Sequence, residues 1–239
     1  MKRIAVFVEG QTELITVREF LKKRFKWEVS INCMRLYGKS QYENCEHKWE
    51  GESEYHFSLF CTSGDSSVLA EILQNEESMW KAGYSKIIGL RDMFSEEYRK
   101  RSSTIDPLVN QDFISSHAER INQLAKKPND IRFCFAIMEV ESWYLGCSEL
   151  FKNLDERITD EAIEGKLGLK LSDIDPETQF FHPVRTLEEI LAIAGIQYDK
   201  SKQIVEKICA GLDDEHYSAL YNKQICASFN NFIDSLLAA

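Results

Sequence analysis

The run Arg3-Ile4-Ala5-Val6-Phe7-Val8 is almost continuously apolar and rich in β-branched side chains. A half-exposed strand would alternate, so this pattern predicts a central strand covered on both faces. It ends at Glu9-Gly10-Gln11-Thr12-Glu13, where Thr12 is the expected N-cap. Leu14, Val17, Phe20 and Leu21 then recur at helical spacing up to Lys22-Lys23-Arg24. A buried strand passing through a Gly turn into an amphipathic helix is a βα unit, and it points to a parallel sheet. Lys86-Ile87-Ile88-Gly89-Leu90-Arg91-Asp92 and Ile131 to Met138 repeat the buried-strand pattern. Val29 to Cys33 and Phe57 to Cys61 add two further strands. The polar, aromatic-dotted insert from Gln41 to Tyr55 reads as a mobile loop or small excursion. Ser67–Trp80 and Asp112–Leu124 carry helical periodicity. From about residue 150 the pattern is helical, with runs within 149–171 and over 187–194, 201–212 and 228–237. The expected organisation is an α/β domain over 1–150 and a small helical C-terminal region over 151–239 packed on it.

Composition sharpens this in three ways. The 239 residues include 29 Lys+Arg against 39 Asp+Glu, a formal charge of −10, which disfavours a protein coated along a nucleic-acid backbone. No apolar run approaches the ~18–20 residues of a membrane span, so no membrane partner is expected. Met1-Lys2-Arg3 leads straight into a strand, unlike a cleavable signal, and the seven scattered cysteines include no CxxC. These features predict free thiols and a cytoplasmic location.

The candidate chemistry lies at the strand ends. Three apolar strands finish in carboxylates: Glu9, with Glu13 one helical turn on; Asp92; and Glu139 with Glu141. Ligands of open parallel sheets collect at the carboxyl edges of the strands. Crowded carboxylates repel unless a cation or protons neutralise them, and hard divalent ions such as Mg²⁺ or Mn²⁺ take oxygen ligands. Glu9, Glu13, Asp92, Glu139 and Glu141 are therefore the candidate metal ligands. Trp143 reads as core and His182, before Pro183, as a packed turn histidine. Lys22, Lys23, Arg24 and Lys26, with Arg99, Lys100 and Arg101, read as solvated helix faces or as a rim for a phosphate backbone.

Val8-Glu9-Gly10-Gln11-Thr12-Glu13 resembles the Glu-Gly-x-[Ser/Thr/Pro]-[Glu/Asp] signature of Toprim domains, shared by topoisomerases, primases and overcoming-lysogenization-defect nucleases. The whole chain is similar to a bacterial Toprim-like family often encoded beside an AAA-type ATPase in apparent phage-defence operons. The likeness runs through Ile88 to Asp92, Met138 to Leu145, Pro183 to Leu187 and Tyr198-Asp199-Lys200. It implies a Toprim-like parallel sheet, with Glu9 and Asp92 as catalytic residues, Glu9 serving as metal ligand or general acid/base, and Glu13 as the second carboxylate. Asp92 matches the first position of the family's Asp-x-Asp, but the second is Phe94, leaving Glu96, Glu97, Glu139 or Glu141 to complete the shell. Two functions follow from the resemblance. One is a Mg²⁺- or Mn²⁺-dependent nuclease or phosphoryl-transfer protein acting on nucleic acid, with an ATPase partner. The other is a catalytically decayed module that binds that ATPase.

Overall fold

The computed structural model describes residues 1–37, 40–62, 64 and 67–237. Six strands, β1 (Lys2–Val8), β2 (Ser30–Tyr37), β3 (Ser40–His47), β4 (Tyr55–Cys61), β5 (Lys86–Asp92) and β6 (Ile131–Ala136), form one sheet of order β3-β2-β4-β1-β5-β6. The five strands from β2 to β6 across the sheet are all parallel, and β3 adds an antiparallel edge. The insert expected as a loop therefore departs from expectation over 40–47. Its largely polar sequence suits an edge strand, and the backbone of β3 pairs from Tyr37↔Ser40 to Ile31↔His47, with a register shift at Cys33/Met34.

The helices are α1 (Gln11–Arg24), α2 (Ser67–Lys81), α3 (Glu96–Arg101), α4 (Pro107–Leu124), α5 (Glu141–Gly146), α6 (Glu149–Leu154) and α7 (Asp160–Leu167). They continue as α8 (Pro176–Gln179), α9 (Pro183–Leu191), α10 (Lys202–Ala210), α11 (Asp214–Lys223) and α12 (Ala227–Leu237). Helix α4 begins well before Asp112. The Asp106 side chain accepts the Leu108 and Val109 N–H groups and Pro107 takes the first turn, where its missing N–H costs nothing. Helix α1 starts at Gln11 with Gly10 as N-cap, so Thr12 lies inside the helix and does not cap it.

The side-chain alternation of β1 explains the layering. Ile4, Val6 and Val8 face α1 and the C-terminal helices, and Ala5 and Phe7 face α2. Both faces are fully covered, as the unbroken apolar run requires. The C-terminal helices are continuous with the main core: Phe229, Phe232 and Leu236 of α12 and Val205 and Ile208 of α10 join the cluster that holds Leu14, Val17 and Leu21 of α1. Helix α1 is consequently enclosed nearly all round in its first three turns, and the buried Arg18 pairs with Glu19 and Glu206. Six of the cysteines are buried free thiols, and Cys45 falls outside the described side chains. Among the described residues no helix is long and apolar enough to cross a membrane.

Gly89 sits mid-strand in β5, where an added Cβ would meet Phe133 Cδ2 at 2.6 Å and Ile72 Cδ1 at 2.9 Å. We expect Gly89→Ala to destabilise the protein by about 1–3 kcal/mol through overpacking, read as a lowered urea midpoint at unchanged slope.

After β1 the chain turns through α1 toward β2, and after β5 it turns through α3 and α4 toward β6, on the opposite side. The carboxyl ends of β1 and β5 thus flank a topological switch point, where a crevice opens between diverging connections.

Candidate metal centre

Hydrogen bonds through carboxylates lace the strand ends together. Glu9, directly after β1, accepts the Asp92 N–H at 3.2 Å through Oε2. Asp92 closes β5, and its Oδ1 accepts the Val140 N–H at 3.0 Å. The turn that follows β6 is fixed further by Phe94 N–H donating to Met138 O at 2.7 Å. Met138 is buried with φ at 59°, an uncommon conformation for a side chain of this size and one that concentrates at functional turns. The turn delivers Glu139 and then Glu141, the first residue of α5.

One oxygen each from Asp92, Glu139 and Glu141 lie within 4.8 Å of one another. Glu141 is wholly buried. Its Oε1 accepts the Tyr198 hydroxyl at 2.7 Å and lies 3.1 Å from Lys200 Nζ, while its Oε2 accepts no hydrogen bond from any described residue. Glu139 Oε2 accepts the Val184 N–H at 3.1 Å, and its Oε1 is 3.8 Å from Lys200 Nζ. Lys200 itself has φ at 56°.

The electrostatics are those of an anionic pocket held short of charge balance. Burial raises the Asp92 carboxyl well above the usual carboxylate range, and Glu13, Glu141 and Glu9 add to the shift. Burial and then Glu141 raise Glu13, and burial and Glu141 push Glu139 up to about 7. Lys200 resists: burial works against its charge, but Glu141, Asp92 and Glu139 more than offset that and hold its pKa above the ordinary lysine value. Burial first, then Glu141, raises the Tyr198 hydroxyl, so it stays a donor. A buried carboxylate oxygen without a donor is costly, and an all-oxygen donor set of this kind suits a hard divalent cation.

Of the five expected ligands, three come together and two are engaged beside them. Glu9 bridges β1 to β5 through the Asp92 amide. Glu13 Oε2 accepts the Gly10 N–H at 2.7 Å, closing the first turn of α1. Glu96 and Glu97 do not reach in: they are exposed in the first turn of α3, and Glu96 pairs with Lys100 at 2.8 Å. Phe94 packs onto Phe181 and His182. The α1 cations do not rim the site either. They occupy the opposite end of the helix, where Lys22 pairs with Glu19, Arg24 with Asp214, and Lys23 donates to the Cys209 and Leu212 carbonyls. Trp143 is core, its Nε1 donating to Glu177 and Ser228.

Tyr198 and Lys200 are the site residues that residue patterning misses. They sit in an irregular stretch between α9 and α10, where no periodicity marks them. Only the similarity at Tyr198-Asp199-Lys200 touched them.

No family model, no curated protein and no solved structure matches this chain.

Proposed function

We propose that this chain is a divalent-metal-dependent, Toprim-like protein that hydrolyses or transfers phosphodiesters of nucleic acid, and that Asp92, Glu139 and Glu141 hold the Mg²⁺ or Mn²⁺. The observation that carries the reading is the wholly buried, donor-free Oε2 of Glu141, set among three carboxylates at the carboxyl edge of a parallel sheet. A divalent ion there would neutralise the carboxylates and act as a Lewis acid toward a phosphate oxygen. The chain's own groups have distinct tasks. Tyr198 orients Glu141 through its hydroxyl, and the Val184 amide orients Glu139. Lys200 brings a fixed positive charge to an otherwise anionic pocket, which favours an incoming phosphate. The Toprim assignment rests on Glu9-Gly10-Gln11-Thr12-Glu13 following a buried strand, and with it comes the proposal of an AAA-type ATPase partner in phage defence.

The test is a Mn²⁺ titration by calorimetry on wild type and Glu141→Gln, followed by a nuclease assay. Saturable binding that weakens by more than about 100-fold in the variant, with loss of cleavage, is the expected result. Equal binding by both proteins would refute the site.

A second reading draws support from Phe94, which stands where the family has its second Asp and packs on Phe181 and His182 instead of entering the cluster. On this reading the chain is a non-catalytic module that binds its partner ATPase. A complex that survives EDTA, with no metal bound by wild type, would favour it.

A further inference from the structure

Phe94 belongs to a feature that the metal reading does not use. Its ring meets His182 at 4.7 Å and Phe181 at 5.4 Å between centroids, both nearly perpendicular, and the Arg99 guanidinium lies 5.5 Å over it. Phe94, Phe181 and His182 are half-buried, while Arg99 and Arg185 are exposed. Perpendicular contacts leave the flat ring faces unstacked on one another. Among the described residues neither arginine has a carboxylate partner, whereas Lys100 and Arg101 beside Arg99 are paired with Glu96 and Asp112. After the effect of burial, both arginines lower the His182 pKa, so their charges converge on the same ledge.

The ledge is bolted to the carboxylates. Phe94 lies two residues beyond Asp92 and donates its N–H to Met138 O. His182 caps α9, whose Val184 N–H holds Glu139 Oε2. An aromatic surface with two unpaired guanidinium groups therefore adjoins an anionic, cation-accepting pocket. On an acidic chain, this is a local positive feature placed against the site.

We infer that Phe94, His182, Arg99 and Arg185 form a stacking and phosphate-binding ledge for single-stranded nucleic acid, which places an unpaired base beside the carboxylate cluster. The inference rests on the phosphodiester reading above and names its substrate class. Base stacking on aromatic and guanidinium planes requires unpaired bases, so a duplex cannot use the ledge in the same way. An acidic protein segment would satisfy the arginines but leave the rings unused.

The experiment is fluorescence anisotropy of labelled oligothymidylate and oligouridylate, a duplex of matched length and polyglutamate, in Ca²⁺ and in EDTA. Mn²⁺ calorimetry runs in parallel on each variant. We expect single strands to bind at least about tenfold more tightly than duplex. Arg99→Ala/Arg185→Ala, both exposed, should weaken single-strand binding by roughly tenfold or more and make it less salt-dependent. Phe94→Leu, which keeps an apolar side chain but no π face, should weaken it by about fivefold or more. All should bind Mn²⁺ as wild type does. Duplex or polyglutamate binding as tightly as single strands, or Phe94→Leu binding unchanged, would overturn the ledge. If single strands bind in EDTA with these variant effects and Mn²⁺ never binds, the ledge stands and the metal reading fails. If Mn²⁺ binds and single strands do not, the reverse holds.

Discussion

Metal-free protein loses stability as the pH rises from about 4.5 to about 7, with Glu139 alone accounting for roughly 3 kcal/mol. The folded state holds this carboxyl at about 7, through burial and the neighbouring Glu141, against an ordinary value of 4.5. A group whose pKa is raised by folding binds its proton more tightly in the native state. Its contribution is therefore complete below the unfolded value and lost as the pH climbs through the folded one. At about 1.36 kcal/mol per pH unit the rise gives the figure above. Asp92 and Glu13 shift in the same direction and steepen the fall. Glu177, also held at about 7 by its burial despite its bonds from Ser228 and Trp143, adds a slope of the same sign away from the site. Lys200 does not contribute in this window, because its raised pKa bears on stability only at alkaline pH. Urea midpoints across the interval measure the effect. Glu139→Gln should flatten the profile by less than half, leaving the Glu177, Asp92 and Glu13 components, and Mn²⁺ should restore stability most at the upper end, where the carboxylates are ionised. A saturating ion at about 100 times its Kd returns roughly 2.7 kcal/mol. A Glu139→Gln profile parallel to wild type would contradict the raised pKa.

The parts of this site that could be read in advance are those carried by strands buried on both faces. Ile4 to Val8, Ile87 to Leu90 and Phe133 to Ala136 are apolar runs packed under helices, and that covering makes the polar residues at their carboxyl ends stand out. The convergence of Asp92, Glu139 and Glu141 then follows from parallel pairing of β5 with β6, which puts those termini on one edge. Elsewhere local sequence is weaker than its context. Ser40 to His47 has too little apolar character to announce a strand, and the neighbouring β2 supplies its hydrogen bonds. Glu13 looks like a ligand from spacing alone, but the third position of a helix is also where a carboxylate caps the N-terminus, and spacing cannot separate the two. Lys200 and Tyr198 reach Glu141 across nearly sixty residues of chain, through a tertiary contact that no periodic signal encodes.

Asp92→Asn should move stability and metal binding in opposite directions. Asp92 is buried and faces Glu13, Glu141 and Glu9, with Lys200 as its one opposing charge in the cluster, so its ionised form is disfavoured without an added cation. Asparagine can keep the Oδ1 that accepts the Val140 N–H, so the tie between β5 and the β6–α5 turn survives while the charge goes. Above neutrality and without metal, the variant should melt about 3–6 °C higher than wild type, the range expected for relief of one or two kcal/mol in a chain of this size. Its Mn²⁺ affinity should fall by about 100-fold or more, since an amide oxygen is a far weaker ligand than a carboxylate in this crowded pocket. Asp92→Ala separates the two roles. It also removes the acceptor of the Val140 N–H, leaving that buried donor unpaired at a cost of about 1–3 kcal/mol, so its melting point should sit below that of Asp92→Asn while its metal affinity is equally poor. If Asp92 served only to hold the turn, Asp92→Asn would bind Mn²⁺ as wild type does and gain nothing in melting temperature. A gain in stability coupled to a loss of metal is the signature of a carboxylate kept in place for a cation.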